Sequence, residues 1–169
     1  GFYYKTFMWP KSFWYKIYEP IIRKAAGFGA ASISHDKERY EHKYEYCDLL
    51  ITGSGPSGLA SAYAAAQNGA KVILAEDKPR FGGSLLTSEA TIGNQSGKEW
   101  VDTIISKLKS MKNVIVKNRS QVFGYYDHNM LVMSERVSDH LPKTENYAPK
   151  QRLWYIRAKE VIISSGSIE

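Results

Sequence analysis

The chain has 169 residues, of which 43% are hydrophobic and 24% charged, a balance that excludes disordered and fibrous classes and suits one domain with a real core. Its formal net charge is +6, but the lysines are scattered and no nucleic-acid motif accompanies them, so the excess reads as a solvated basic surface. Cys47 is the single cysteine, no apolar run approaches the ~20 residues that cross a bilayer, and no signal-cleavage pattern opens the chain; these features exclude dithiol chemistry and point to a cytoplasmic protein with no membrane and no nucleic acid as partner.

Residues 1–46 form an aromatic and basic extension. Phe2, Tyr3, Tyr4, Phe7, Trp9, Phe13, Trp14, Tyr15 and Tyr18 are interleaved with Lys5, Lys11 and Lys16. Aromatics at this density need a surface to bury against, and without a clean helical stripe another domain or a partner subunit fits better than a membrane. Glu19–Gly27 reads as a short helix entered at Pro20 and stopped by Gly27. Ser34 to Tyr46 is highly charged and reads as an exposed connection.

A dinucleotide-binding region then occupies residues 47–169. Cys47–Thr52 is a buried strand that runs into Gly53, Gly55 and Gly58, a G-x-G-x-x-G run. In this pattern the first glycine makes the turn and the second admits a phosphate to the backbone. The third packs the helix on the sheet. Pro56 and Ser57 open an alanine-rich helix that ends at Asn68, and Gly69 stands where a left-handed cap belongs. The free N–H groups and positive dipole of its first turn suit an anion, so Gly53, Gly55, Pro56, Ser57 and Gly58 are read as facing a pyrophosphate.

Lys71–Glu76 is the second strand. Glu76 falls about 20 residues past the glycines, the place of the ribose-binding acid, with Asp77 as its neighbour. A carboxylate there can accept both adenosine ribose hydroxyls and repels a 2′-phosphate, which favours NAD or FAD over NADP; Lys78 and Arg80 weaken that exclusion. Gly82-Gly83-Ser84 is a place where backbone can lie along the dinucleotide, with Gly83 and Ser84 lining it.

Ser96 to Trp100 begins a helix with Trp100, Val101, Ile104, Ile105 and Leu108 at helical spacing. Val114–Lys117 is a further parallel strand. Ser120–Tyr126, Met130–Arg136 and Arg152–Ala158 read as antiparallel strands, with a turn at Asp127-His128-Asn129 and a polar loop from Val137 to Lys150. Glu160–Gly166 reads as a last, separate buried strand. His35, His42, His128 and His140 lack metal-ligand spacing, and His128 reads as a structural turn residue. No metal site and no catalytic acid, base or nucleophile is assigned.

The resulting fold class is α/β: a Rossmann-like FAD/NAD(P)-binding domain with a parallel sheet and an antiparallel β-meander, incomplete at its C-terminus. In this domain type Val122, on the first meander strand, lies against the adenine. Ser165 and Gly166 approach the middle of the dinucleotide.

At this resolution the chain resembles one family, the α subunit of heterotetrameric sarcosine oxidase. The resemblance rests on Thr6-Phe7-Met8-Trp9-Pro10, Trp14, Tyr18-Glu19-Pro20, Ile22-Arg23 and Ala25-Ala26-Gly27, and on Cys47-Asp48 before the glycine loop. Its most specific string is Val122-Phe123-Gly124-Tyr125-Tyr126-Asp127-His128-Asn129. Arg152-Leu153-Trp154, Ile156-Arg157-Ala158-Lys159, Gly166 and Glu169 are similar as well, whereas Ser164-Ser165 replaces the usual Ala-Thr. The resemblance implies an NAD-binding segment that does not turn over alone. It belongs to a complex that demethylates sarcosine oxidatively to glycine, with oxygen becoming peroxide and tetrahydrofolate taking the one-carbon unit. FAD and FMN, sarcosine and tetrahydrofolate, and the other subunits would then bind elsewhere in that complex. Two alternatives stay open: a fragment of a free-standing FAD-dependent amine or opine oxidoreductase, and a non-catalytic module that a nucleotide stabilises.

Overall fold

The computed structural model describes residues 9–27, 29, 33–142 and 148–166. Phe2, Tyr3, Tyr4, Lys5, Thr6, Phe7 and Met8 of the aromatic leader, part of the loop from Val137 to Lys150, and Glu169 lie outside the described residues. The chain divides into two units, residues 1–37 and 38–169.

In the first unit a π-helical turn, Trp14–Tyr18, runs into helix α1, Glu19–Ala25, with Pro20 in its first turn. Glu19 pairs with Arg23 one turn on. Gly27 follows at φ +73°, a left-handed conformation that ends the helix where the sequence predicts. Trp9 and Tyr15 are more than four-fifths exposed.

The second unit is built on a six-stranded sheet in the order β5-β2-β1-β8-β7-β6. Its strands are β1 (Tyr40–Thr52), β2 (Val72–Ala75), β5 (Val114–Lys117), β6 (Ser120–Tyr126), β7 (Met130–Arg136) and β8 (Gln151–Ile163); two short strands, β3 (Thr91–Ile92) and β4 (Gln95–Ser96), form a separate ribbon. β5, β2, β1 and β8 run parallel, and β8-β7-β6 is the antiparallel meander. Helices α2 (Pro56–Gln67) and α3 (Gly97–Ser110) cover one face of the parallel part.

Two corrections concern strand lengths. Tyr40–Tyr46, expected as part of an exposed connection, is the first half of β1 and pairs residue by residue with Gln151–Arg157. The expected strands Arg152–Ala158 and Glu160–Gly166 are one strand, β8, which pairs antiparallel with β7 and parallel with β1. In both places polar side chains hide strand from a reading based on apolar runs. Glu41 of β1 is held by Arg152 of β8 at 3.0 Å, and Lys159 in the middle of β8 by Asp48 at 2.7 Å.

The core has two faces, as a covered parallel sheet requires. Ile51, Val72 and Leu74 pack under Leu59, Ala62 and Ala66 of α2 and Val101, Ile104, Ile105 and Leu108 of α3. Leu50, Ile73 and Ala75 face the other way, with Cys47 and with Leu131, Met133, Trp154 and Ile156 of the meander. Burial pushes the Cys47 thiol up to about 12, so it is a packing residue and not a thiolate.

Both helices end as their sequences dictate. Beyond α2, Gly69 takes φ +84°, its N–H donates to Ala66 O, and Ala70 N–H donates to Ala65 O, a Schellman cap. Before α3, Ser96 Oγ accepts from Glu99 N–H at 3.3 Å while Ser96 N–H donates to Glu99 Oε2 at 2.9 Å, a reciprocal capping box. Ser96→Ala is expected to cost about 1 kcal/mol in urea unfolding, the usual loss of a good N-cap.

Candidate dinucleotide site

The site is built where β1 leaves the sheet. Gly53 N–H closes the strand on Ala75 O at 2.8 Å, and the chain turns at once with Gly53 at φ +98°. A Cβ on Gly53 would stand 2.3 Å from Ser164 O, and one on Gly58 would stand 2.0 Å from Gly53 O. These two glycines therefore let strand, turn and helix close on one another. Gly55 is different: it caps α2 at φ −66°, and nothing lies within 4 Å of where its Cβ would be. Its open side faces a cleft of about 1130 Å³. No side chain caps the α2 N-terminus, so its first-turn amides are left for whatever the cleft holds.

Of the sequence-predicted residues, Gly53, Gly55, Pro56, Ser57, Glu76, Asp77, Gly83, Ser84, Val122, Ser165 and Gly166 all line this one cleft. Gly58 does not. The position its Cβ would take is walled by Gly53 O and Ser164 Oγ, which suits the packing role expected of the third glycine. Gly83, at φ +53°, lies against the glycine loop, its Cβ position only 3.0 Å from Gly55 Cα. Ser164 Oγ donates to the carbonyls of Thr52 and Gly53, each at 3.0 Å, so the serine in place of the usual alanine clips β8 to the turn.

Ser54 was missed by the sequence reading. It is fully buried, and it ties three segments together. Its N–H and Oγ both donate to Glu76 Oε2, at 2.9 and 2.5 Å. Gly82 N–H donates to Ser54 O at 3.0 Å and to Ser54 Oγ at 3.2 Å. The signal was present in its place between two glycines of the loop, but its partner stands 22 residues away. Glu76, itself 6% exposed, also accepts from Lys78 N–H at 2.9 Å through Oε1. Three of its roughly four acceptor positions are therefore filled by protein. That leaves little acceptor capacity for the two ribose hydroxyls expected there, and the Asp77 carboxyl is a further neighbour of Glu76.

Asp77 is half exposed beside it, with Lys78 Nζ 3.3 Å from Oδ2. Hydrogen bonding with the Glu76 carboxyl, and then with Lys78, holds Asp77 below the usual carboxylate range. His128 sits at φ +58° in the meander turn, and its carbonyl accepts from Arg157 at 2.7 Å, a structural role away from the cleft lining. Among the described residues no group of His, Cys, Asp and Glu could hold a metal ion.

A strand, a tight glycine turn, an uncapped helix N-terminus and a carboxylate ending the next strand define a dinucleotide-binding domain of the Rossmann-like class. Residues 48–142, more than half of the chain, match the model of the FAD dependent oxidoreductase family. The protein belongs to that family. It is 44% identical over its whole length to the sarcosine oxidase subunit alpha of Rhizobium meliloti, and 33% identical over 147 residues to that of a Corynebacterium species. It spans 17% and 15% of the length of these two relatives. Among solved structures, the L-proline dehydrogenase of P. horikoshii shares the fold, with a TM-score of 0.57 over 83% of this chain and 26% of that one, at 20% identity.

Proposed function

We propose that this chain is the dinucleotide-binding part of a sarcosine oxidase α subunit and that its cleft holds NAD. The observation that carries the reading is convergence: the open side of Gly55, the uncapped start of α2 and the Glu76 carboxyl all line one cleft. The N–H groups of Gly55 and Ser57 bind the pyrophosphate, Glu76 binds the adenosine ribose, Val122 borders the adenine, and Ser165 and Gly166 border the middle of the ligand. Nothing in the cleft is placed as an acid, base or nucleophile, so the chain's own contribution is binding and orientation. The complete cytoplasmic complex demethylates sarcosine to glycine, with tetrahydrofolate and the flavins bound on other parts. The exposed Trp9 and Tyr15 suit a surface for another domain or subunit.

The family match supports a second reading, FAD in the same cleft, since the same loop and acid serve either dinucleotide. Titration of the full-length protein with NAD and with FAD separates them. NAD is expected to bind and Glu76→Gln to weaken it about tenfold, the loss of one charge-assisted hydrogen bond. Tight binding of FAD in this cleft, with no response to NAD, would transfer the assignment to the second reading. Unchanged NAD affinity in Glu76→Gln would remove Glu76 from the site.

A further inference from the structure

The turn at the head of the cleft is held from its far side by Ser164, the first residue after β8. Gly53 at φ +98° gives the peptide bond that follows it a rotational freedom that a side chain would restrict. A planar trans peptide points its carbonyl and its N–H in opposite directions, so its aim is fixed only when both ends have partners. The Gly53–Ser54 peptide has both. Ser54 N–H donates to Glu76 Oε2 at 2.9 Å, toward β2. Gly53 O accepts from Ser164 Oγ at 3.0 Å, toward β8. The hydroxyl carries a single proton. Its other acceptor at 3.0 Å, Thr52 O, already takes Ser164 N–H at 2.8 Å, so the bond to Gly53 O is the one the backbone does not duplicate. Gly53 O is also pressed against α2, 2.0 Å from where a Cβ on Gly58 would stand, and Gly58 does not line the cleft. The carbonyl is thereby kept on the packing side of the turn. Rotation of this peptide would swing its negative end toward the cleft and change the aim of the amides that follow.

Resting on the dinucleotide reading above, we propose that Ser164 is a positioning residue for the diphosphate: its hydroxyl holds the Gly53 carbonyl against the Gly58 side, so that the N–H groups of Gly55 and Ser57 meet the anion without reorganisation. The hydroxyl acts through the backbone and needs no contact with the ligand. Its contribution is preorganisation, which raises affinity by removing an ordering cost from the binding step. The effect falls on the charged middle of the ligand and spares its adenosine end.

The test is calorimetry on the full-length protein and its Ser164→Ala variant with two ligands, NAD and adenosine, the second measured by its displacement of NAD; if FAD is the dinucleotide that binds, FAD takes the place of NAD. Ser164→Ala removes one oxygen and adds no atom, so the variant is expected to fold. It is expected to bind NAD about fivefold more weakly, the net worth of one neutral hydrogen bond, and to bind adenosine as the wild type does. A merely structural role would loosen the whole cleft and weaken both ligands alike. An equal loss for NAD and adenosine therefore overturns the inference, and so does a Ser164→Ala variant with wild-type affinity for NAD. Either result leaves the dinucleotide reading standing. A wild-type protein that binds neither NAD nor FAD overturns that reading itself, and this inference with it.

Discussion

Gly55→Val should abolish dinucleotide binding in a domain that still folds, whereas Gly53→Ala and Gly58→Ala should fail to fold well enough to be tested. The three glycines share one motif, yet their surroundings differ. At Gly55 the backbone is in an ordinary region, φ −66° and ψ −176°, and the Cβ position is open. A valine there meets no protein atom near its Cβ, and its bulk enters the space where a phosphate would approach. Affinity is expected to drop at least ~100-fold, the loss of two charge-assisted hydrogen bonds, with little change in melting temperature. At Gly53 a side chain must adopt φ +98° and overlap Ser164 O. Strain of ~1–3 kcal/mol combines there with overpacking of ~1–3 kcal/mol. Gly58→Ala has ordinary backbone but places a methyl 2.0 Å from Gly53 O, so helix and turn must separate. Melting temperatures and NAD titrations on the three variants check the scheme. A stable Gly53→Ala, or a Gly55→Val that binds normally, would contradict it.

The contrast marks how far sequence carries. The turn, the helix α2 and its ends were legible because they depend on local sterics: glycine where φ is positive and proline at a helix start. The packing role expected of the third glycine agrees with the approach of Gly53 O and Ser164 Oγ to Gly58, contacts that the motif alone does not name. The cleft residues Glu76, Asp77, Gly83 and Val122 were legible from the spacing of a known domain type. Ser54 was not, because its significance lies in a carboxylate 22 residues away. The first half of β1 failed for a related reason. Tyr40–Tyr46 alternates tyrosine or histidine with glutamate or lysine, and a local reading takes those charges as solvated. In the fold Glu41 reaches Arg152, and Lys43 lies over the Trp154 ring at 4.3 Å. Both partners lie more than a hundred residues away in sequence, where no local pattern can announce them.

Those distant partners lead to the second large effect. Glu135 on β7 is almost buried, and its carboxylate holds three groups: Lys117 Nζ at 2.8 Å on Oε1, and Arg152 Nη1 at 3.0 Å and Trp154 Nε1 at 2.7 Å on Oε2. It thereby links β5, β7 and β8, with β1 joined through Glu41. Removing one partner of a buried ion pair leaves the others desolvated and unpaired, so Glu135→Ala is expected to destabilise by about 3 kcal/mol. Glu41→Ala, at the half-buried and more solvated end of the same network, is expected to cost less, about 1 kcal/mol. The pH dependence has a defined sign. Burial pushes the Glu135 carboxyl up, but hydrogen bonds from Lys117 and Trp154 and the charges of Lys117 and Arg152 more than offset it, leaving it below the ordinary 4.5. A carboxyl lowered in the folded state stabilises fully above its unfolded value and loses that contribution as pH falls through its folded value. The stability gap between wild type and Glu135→Ala, measured by urea unfolding, should therefore hold from pH 7 to about 5 and narrow below about 4.5. A gap that stays constant down to pH 3 would mean that the carboxylate charge contributes nothing, and that packing alone holds the meander to the parallel sheet.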